Sequence, residues 1–207
     1  MTDLVIARRK CYYELVRYGP PSISYLEELG LFMPSINRSH QYVARIIDQH
    51  QQTSLRSCIP SAVEMVLKLL GKVDLDYCDQ QSCWTNGSFE NFNGQTISGV
   101  TFRRINLAER GPSFPYDQLF DTIDQELESD RYVVISLLGS FMGMSVYHAD
   151  VIFDKTQNND YLAVTKAFTN VGQLTQFIGD IKTKVRQIQG TDILTYALSP
   201  DKNSART

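Results

Sequence analysis

The sequence is poor in cysteine, in histidine and in sustained apolar runs, and each shortage excludes something. Four cysteines (Cys11, Cys58, Cys78, Cys83) in 207 residues are too few for a disulfide framework, so synthesis in a reducing, intracellular compartment is expected. The longest apolar stretch, around Val133–Leu138, falls far short of the roughly 20 residues a membrane helix needs, and no membrane insertion is expected. The basic residues of the N-terminus, Arg8, Arg9 and Lys10, follow its apolar residues. A secretory leader has the opposite layout, so a cytoplasmic location is expected. There is no basic excess either: 20 Lys and Arg stand against 23 Asp and Glu, a net charge of −3. That argues against a nucleic-acid partner, which calls for a basic stripe. What the chain does have is core material, 43% hydrophobic residues of which many are aromatic, enough for a full globular interior.

The periodicity divides the chain into three parts. Residues 1–44 read as an N-terminal helical extension. Leu4, Ala7, Cys11, Leu15 and Tyr18 form one stripe. Gly19-Pro20-Pro21 ends it, and Ser24 with Glu27 opens a short helix closed by Gly30. Further helical character lies around Tyr42, Ile46 and Ile47. Residues 45–198 form the main domain, and 199–207 a polar tail. The clearest helix is Cys58–Leu70, with Ala62, Met65, Val66, Leu69 and Leu70 on its apolar face and Glu64 and Lys68 spaced for a salt bridge on the other side. Pro60 fits only the first turn, and Gly71 is the expected stop. Residues 72–114 read as loops with short strands. A second helix covers Pro115 to about Glu128. Then come strands at Tyr132–Leu138, Val146–Phe153 and Tyr161–Phe168, with a Gly139/Gly143 loop and a turn at Lys155–Asn159 between them. Leu174, Phe177, Ile178, Ile181, Val185 and Ile188 predict one more helix, and Ile193–Leu198 a last strand. Helix first and antiparallel sheet after is an α+β order.

Candidate chemistry starts at Cys58. It stands where a loop enters a long apolar helix, the end at which free backbone N–H groups and the helix dipole lower a thiol pKa. A thiol nucleophile needs a base. Of the three histidines, His40 and His50 lie in polar sequence, whereas His148 sits on a strand after a glycine-punctuated loop. Alternation places His148, Asp150 and Ile152 on one face of that strand. Gln52, six residues before Cys58, offers an amide N–H to a developing oxyanion beside the N–H of Cys58. Cys78 and Cys83 have the spacing of half a metal site, but no second pair completes it. No metal or organic cofactor is expected.

Gln52-x5-Cys58-Ile-Pro-Ser-Ala-Val-Glu-Met-Val-Leu-Lys-Leu-Leu-Gly71 resembles the Q-x5-C-G-x-A helix of the papain-like C39 peptidases and their C39-like relatives. Arg131–Leu137 resembles the buried strand after their middle helix, and Tyr147–Phe153 their histidine strand. The resemblance covers about residues 45–198 and implies a papain-like fold, with the nucleophile helix packed on an antiparallel sheet. It departs from the family in two places. Ile59 replaces the usual glycine after the nucleophile, and the Asp-Pro pair that ends the next strand is replaced by Thr165-Lys166. Thr165 then takes the place of the group that orients the imidazole. Asp150, two residues along the same strand at about 7 Å, is expected to be too far for direct support.

The reading that follows is a cysteine-dependent hydrolase acting on a peptide or protein substrate. Cys58 attacks, His148 moves the proton, Gln52 holds the oxyanion and Thr165 orients the base. A same-fold acyltransferase or glutamine deamidase is the nearest alternative, and a binding module that has lost its catalysis is another.

Overall fold

The computed structural model describes residues 36–84, 87–141, 144–169 and 172–199. The helices expected before residue 36, and nearly all of the polar tail, lie outside the described residues. Residues from Ile36 onward form one compact unit. It contains helices α1 (His40–Asp48), α2 (Cys58–Leu69), α3 (Asp79–Cys83), α4 (Phe89–Phe92), α5 (Tyr116–Glu128) and α6 (Ile181–Gln187). The strands are β1 (Thr96–Ile97), β2 (Val100–Ile105), β3 (Val133–Phe141), β4 (Met144–Lys155), β5 (Tyr161–Thr169), β6 (Gly172–Ile178) and β7 (Ile193–Leu198). All seven join one sheet in the order β1-β2-β7-β3-β4-β5-β6, and every pairing is antiparallel. The class is therefore α+β, as the order of patterns predicts.

The centre of the sheet is buried on both faces, which explains why β3 reads as a continuous apolar run and not as an alternation. On one face Val134, Ala149, Val151, Phe153, Val164, Leu194 and Tyr196 share a core with α1 and α2. On the other, Val133, Ile135, Leu137, Ile152, Ala163 and Ile193 pack with α5 and α6. Helix α1 straddles the boundary expected at residue 44. Ser39 caps it by accepting the Tyr42 N–H at 3.2 Å, and its Val43, Ile46 and Ile47 belong to the α2 core. Helix α2 ends as its sequence predicts. Gly71 takes the left-handed conformation (φ +63°), and Lys72 N–H returns to Leu67 O at 2.9 Å. Two buried polar anchors tie α5 to the sheet. Tyr161 Oη donates to Phe120 O or Asp124 Oδ1, and Glu126 accepts from Arg131, Arg103 and Thr195.

Three expectations are corrected. Strand β3 does not stop at a Gly139/Gly143 loop. It runs on to Phe141, with Gly139 paired to Val146, because the roughly 0.5–1 kcal/mol that a glycine costs inside a strand is outweighed by the ladder pairs on either side of it. The helix expected from Leu174 is instead strand β6, followed only at Ile181 by α6. The step from Leu174 to Ile178 matches a helix, but the exposure alternates residue by residue from Gly172. Asp180, in the left-handed region at φ +54°, breaks the path between the two elements. Finally, Glu64 and Lys68 are not a surface pair. They are 0% and 3% exposed, under polar cover described below. Among the described residues no helix is long and apolar enough to cross a membrane.

Gly190 supplies a direct test of the packing between α6 and the loop before α5. It has φ +115°, and a Cβ added there would stand 2.2 Å from the Phe114 ring. Gly190→Ala combines backbone strain with overpacking and is expected to cost roughly 3 kcal/mol, read as a shifted urea midpoint at constant slope. A midpoint within error of the parent would contradict this packing.

Candidate functional site

The loop that delivers the chain into α2 is held by two glutamine side chains. Gln173, on β6, accepts the Gln52 N–H at 2.8 Å and donates back to Gln52 O. Gln81, on α3 and 1% exposed, accepts from Thr53 N–H at 2.7 Å and donates to Gln51 O at 2.9 Å. Its Oε1 also lies 2.9 Å from Ser57 Oγ, at the residue before the helix. The same Gln81 donates through its backbone N–H and its Nε2 to the two oxygens of Glu64, at 3.0 and 2.6 Å. Burial pushes the Glu64 carboxyl above its ordinary range, and the Gln81 donors offset part of that. The buried polar face of α2 is thus the floor on which the approach loop is fixed.

A second buried group lies beside it. His50 is fully buried. Lys68 Nζ donates to its Nδ1 at 2.9 Å, which leaves the ring proton on Nε2, 2.7 Å from Ser61 Oγ. Burial, then the charges of Lys68 and Lys166, lower the His50 pKa to about 3. Burial also lowers Lys68. Residue order carries no sign of this, because the polar neighbours of His50 read as surface.

Cys58 begins α2. The strands across from it part at this point. β4 pairs with β5 only from Lys155↔Tyr161 to Val151↔Val164, and a one-residue bulge falls between Ile152 and Asp154. Beyond Val151, β4 continues with β3 alone, while Thr165–Thr169 of β5 continue with β6. The Cys58 thiol sits against the backbone N–H of Ala149 in the freed part of β4. The helix-start position predicts a lowered thiol pKa, and the structure corrects this. Burial pushes it up, the N–H groups of Ala149 and Ile59 offset part of that, and the Asp150 charge raises it further.

His148 lies in the same gap. Its Nδ1 stands 3.0 Å from Thr165 Oγ1 and 3.0 Å from Ala149 O, while Asp150 Oδ1 is 3.6 Å away. The 7 Å expected for Asp150 is corrected as well. That figure is the spacing of the backbone, and two side chains on one face close much of it by leaning together. Burial, the largest single influence, pulls the His148 pKa down, but the Asp150 carboxylate and the backbone carbonyls of Ala149 and Lys166 together outweigh it, and the net shift is upward. With acceptors around Nδ1, the ring keeps its proton there, and Nε2 is buried with no hydrogen-bond partner. The resting structure therefore forms no hydrogen bond between His148 Nε2 and Cys58.

Gln52, His148, Asp150 and Thr165 line one cleft of about 390 Å³, walled by apolar side chains that include Leu137 and Val146. Leu55, Leu138 and Tyr147 stand exposed among its lining residues, and the Arg110 guanidinium lies 4.2 Å over the Tyr147 ring. Gln52 spends one Nε2 proton on Ser54 O at 2.7 Å, which leaves its second N–H for a ligand. A separate cleft of about 340 Å³ begins at Ile59, but its Arg104 is already bound by Glu90 and Asp192.

The structure thus gathers three of the four residues picked from sequence into one cleft and sets Cys58 beside it on the β4 backbone. Sequence reasoning missed Gln81, Glu64, Gln173 and the closeness of Asp150. Only Asp150 carried a signal, its place on the His148 face. Cys78 and Cys83 are exposed thiols, and among the described residues no cluster of three or more His, Cys, Asp or Glu is placed to hold a metal ion. In comparisons with known proteins, no family model matches the chain and no curated protein is significantly similar to it.

The His50 environment predicts a pH dependence. The unfolded chain takes up a proton near pH 6.5 and the folded chain only near pH 3, so stability is lost as pH falls through that window, by up to about 1.4 kcal/mol per pH unit. His50→Gln removes this contribution. Urea melts between pH 7 and 4 are expected to show a shallower acid slope in the variant than in the parent. Parallel slopes would contradict the buried, neutral assignment.

Proposed function

We propose that this chain is a cysteine-dependent hydrolase of papain-like fold, related to the C39 group, that opens a peptide or amide bond through a Cys58 acyl-enzyme. The observation that carries the reading is the state of His148. Its Nδ1 is surrounded by Thr165, Ala149 O and Asp150, so Nε2 is left as a buried nitrogen with nothing to bond. That suits a general base whose hydrogen bond to the Cys58 thiol forms only once substrate is in place, since catalytic hydrogen bonds are commonly looser in the resting enzyme.

In the reaction, the substrate carbonyl is polarised by the N–H of Cys58 at the helix start and by the free N–H of Gln52. His148 Nε2 accepts the thiol proton as Sγ attacks the carbonyl carbon. The tetrahedral intermediate collapses, the C–N bond breaks, and the proton passes from His148 to the leaving nitrogen. Water, deprotonated by the same nitrogen, then opens the thioester and restores the thiol. Asp150 stabilises the imidazolium formed in both halves, and Thr165 fixes the ring plane. The chemistry calls for no cofactor.

One observation favours a second reading. The thiol is held above its ordinary value and has no imidazole partner at rest, which suits a binding module that uses the cleft without turnover.

Labelling separates the two. With a thiol-reactive amide probe such as iodoacetamide, His148→Ala is expected to slow alkylation of Cys58 and to lower turnover of a peptide library by about 10²–10⁴. Thr165→Val should cost about tenfold, the loss of one hydrogen bond. Unchanged Cys58 labelling in His148→Ala, with no product from any peptide, selects the binding module.

A further inference from the structure

Three atoms in the cleft lack a hydrogen-bond partner: Gln52 Oε1, Asp150 Oδ1 and His148 Nε2. Two of them belong to side chains almost wholly removed from water, with Gln52 1% and Asp150 2% exposed. Buried polar atoms are nearly always paired, and an orphaned acceptor is costly unless something arrives to satisfy it. The His148 Nδ1 stands 3.6 Å from Asp150 Oδ1, beyond hydrogen-bond length. Both oxygens only accept. Nε2, with the ring proton on Nδ1, also accepts. A ligand that matches this cleft therefore brings several N–H donors on one small group.

The chemistry of the proposed site narrows the choice. Lys184 and His148 line the cleft together with the Asp150 carboxylate, so charge alone does not select the ligand. An ammonium or guanidinium brings no carbonyl carbon for Sγ to attack, so the donor-rich group is an amide. A secondary peptide amide is neutral but carries a single N–H. A primary carboxamide is neutral, carries two, and brings the carbonyl that the thiol chemistry needs.

We propose that the bond opened here is the primary carboxamide of a glutamine-type side chain in a peptide or protein, a proposal that rests on the Cys58–His148 reading. Gln52 Oε1 and Asp150 Oδ1 accept its two N–H groups, and the carbonyl carbon faces Cys58. Sγ bonds to that carbon as the C–N bond breaks. The nitrogen leaves as ammonia, taking the proton that His148 Nε2 received from the thiol. Water then hydrolyses the thioester to a carboxylate, so glutamine becomes glutamate with no change of oxidation state. The main chain of the substrate stays intact.

The test offers the reduced, full-length protein a library of glutamine-containing peptides, and in parallel the same library with the side-chain amide N-methylated. The methyl group removes one donor and keeps the carbonyl. Ammonia release and conversion of glutamine to glutamate, read by mass spectrometry, are expected from the first library, and methylamine release with the same conversion, slower by about tenfold or more, from the second. Cleavage of the peptide main chain without ammonia release overturns the carboxamide assignment and leaves the thiol hydrolase standing. So does equal processing of both libraries. Absence of ammonia from the first library also overturns the assignment. Whether the parent reading falls with it is seen in the same samples, from the dependence of Cys58 alkylation on His148.

Discussion

The site exists because β4 and β5 part company. An antiparallel pair that stayed in register to its end would use the backbone of residues 148–150 in ladder bonds and bring β5 side chains over them. The bulge between Ile152 and Asp154 adds one unopposed residue, and such bulges bend a strand and increase its twist. Past Val151, β4 follows β3 and β5 follows β6. A cleft opens between them, and the start of α2 is applied to its edge. The position of Cys58 against Ala149, the Thr165 contact to His148 and the burial of Asp150 all follow from that fork.

Holding the fork open takes polar work from residues well outside it. Gln173 and Gln81 fix the loop that carries Gln52, and Gln81 is itself seated on a buried carboxylate of α2. A helix that buries ten of its twelve residues has no free face on which a charged residue is left alone, so Glu64 and Lys68 need the partners they have. Removing one member of such a network strands the others in a low-dielectric interior, a larger loss than the bond itself. The rigidity of the approach loop and the cost of disturbing it have the same origin.

Much of this was legible from residue order. Helix α2, helix α5 and strand β7 fall where periodicity and stop signals put them, because each shows a full apolar pattern bounded by Pro or Gly. The grouping of Gln52, His148 and Thr165 was reached by spacing and resemblance together. What could not be read has three causes. A residue such as Gln81 or His50 looks like surface until the chain that covers it is in place. The Asp150 distance depended on side-chain lean, which strand spacing does not contain. Strand β6 was misread because a step of four between Leu174 and Ile178 suits a helix and an alternating strand equally.

The account turns on Asp150 favouring the cationic form of His148, the state the ring passes through when it takes the thiol proton. Proton NMR titration of the His148 ring in the parent and in Asp150→Asn tests it most directly. The parent is expected to titrate above the ordinary histidine value of about 6.5. In the variant, burial is opposed only by the Ala149 and Lys166 carbonyls, so His148 should titrate lower than in the parent, and the Cys58 thiol should fall with it as the carboxylate repulsion is lost. A His148 titration that does not move in a folded Asp150→Asn protein would contradict the account.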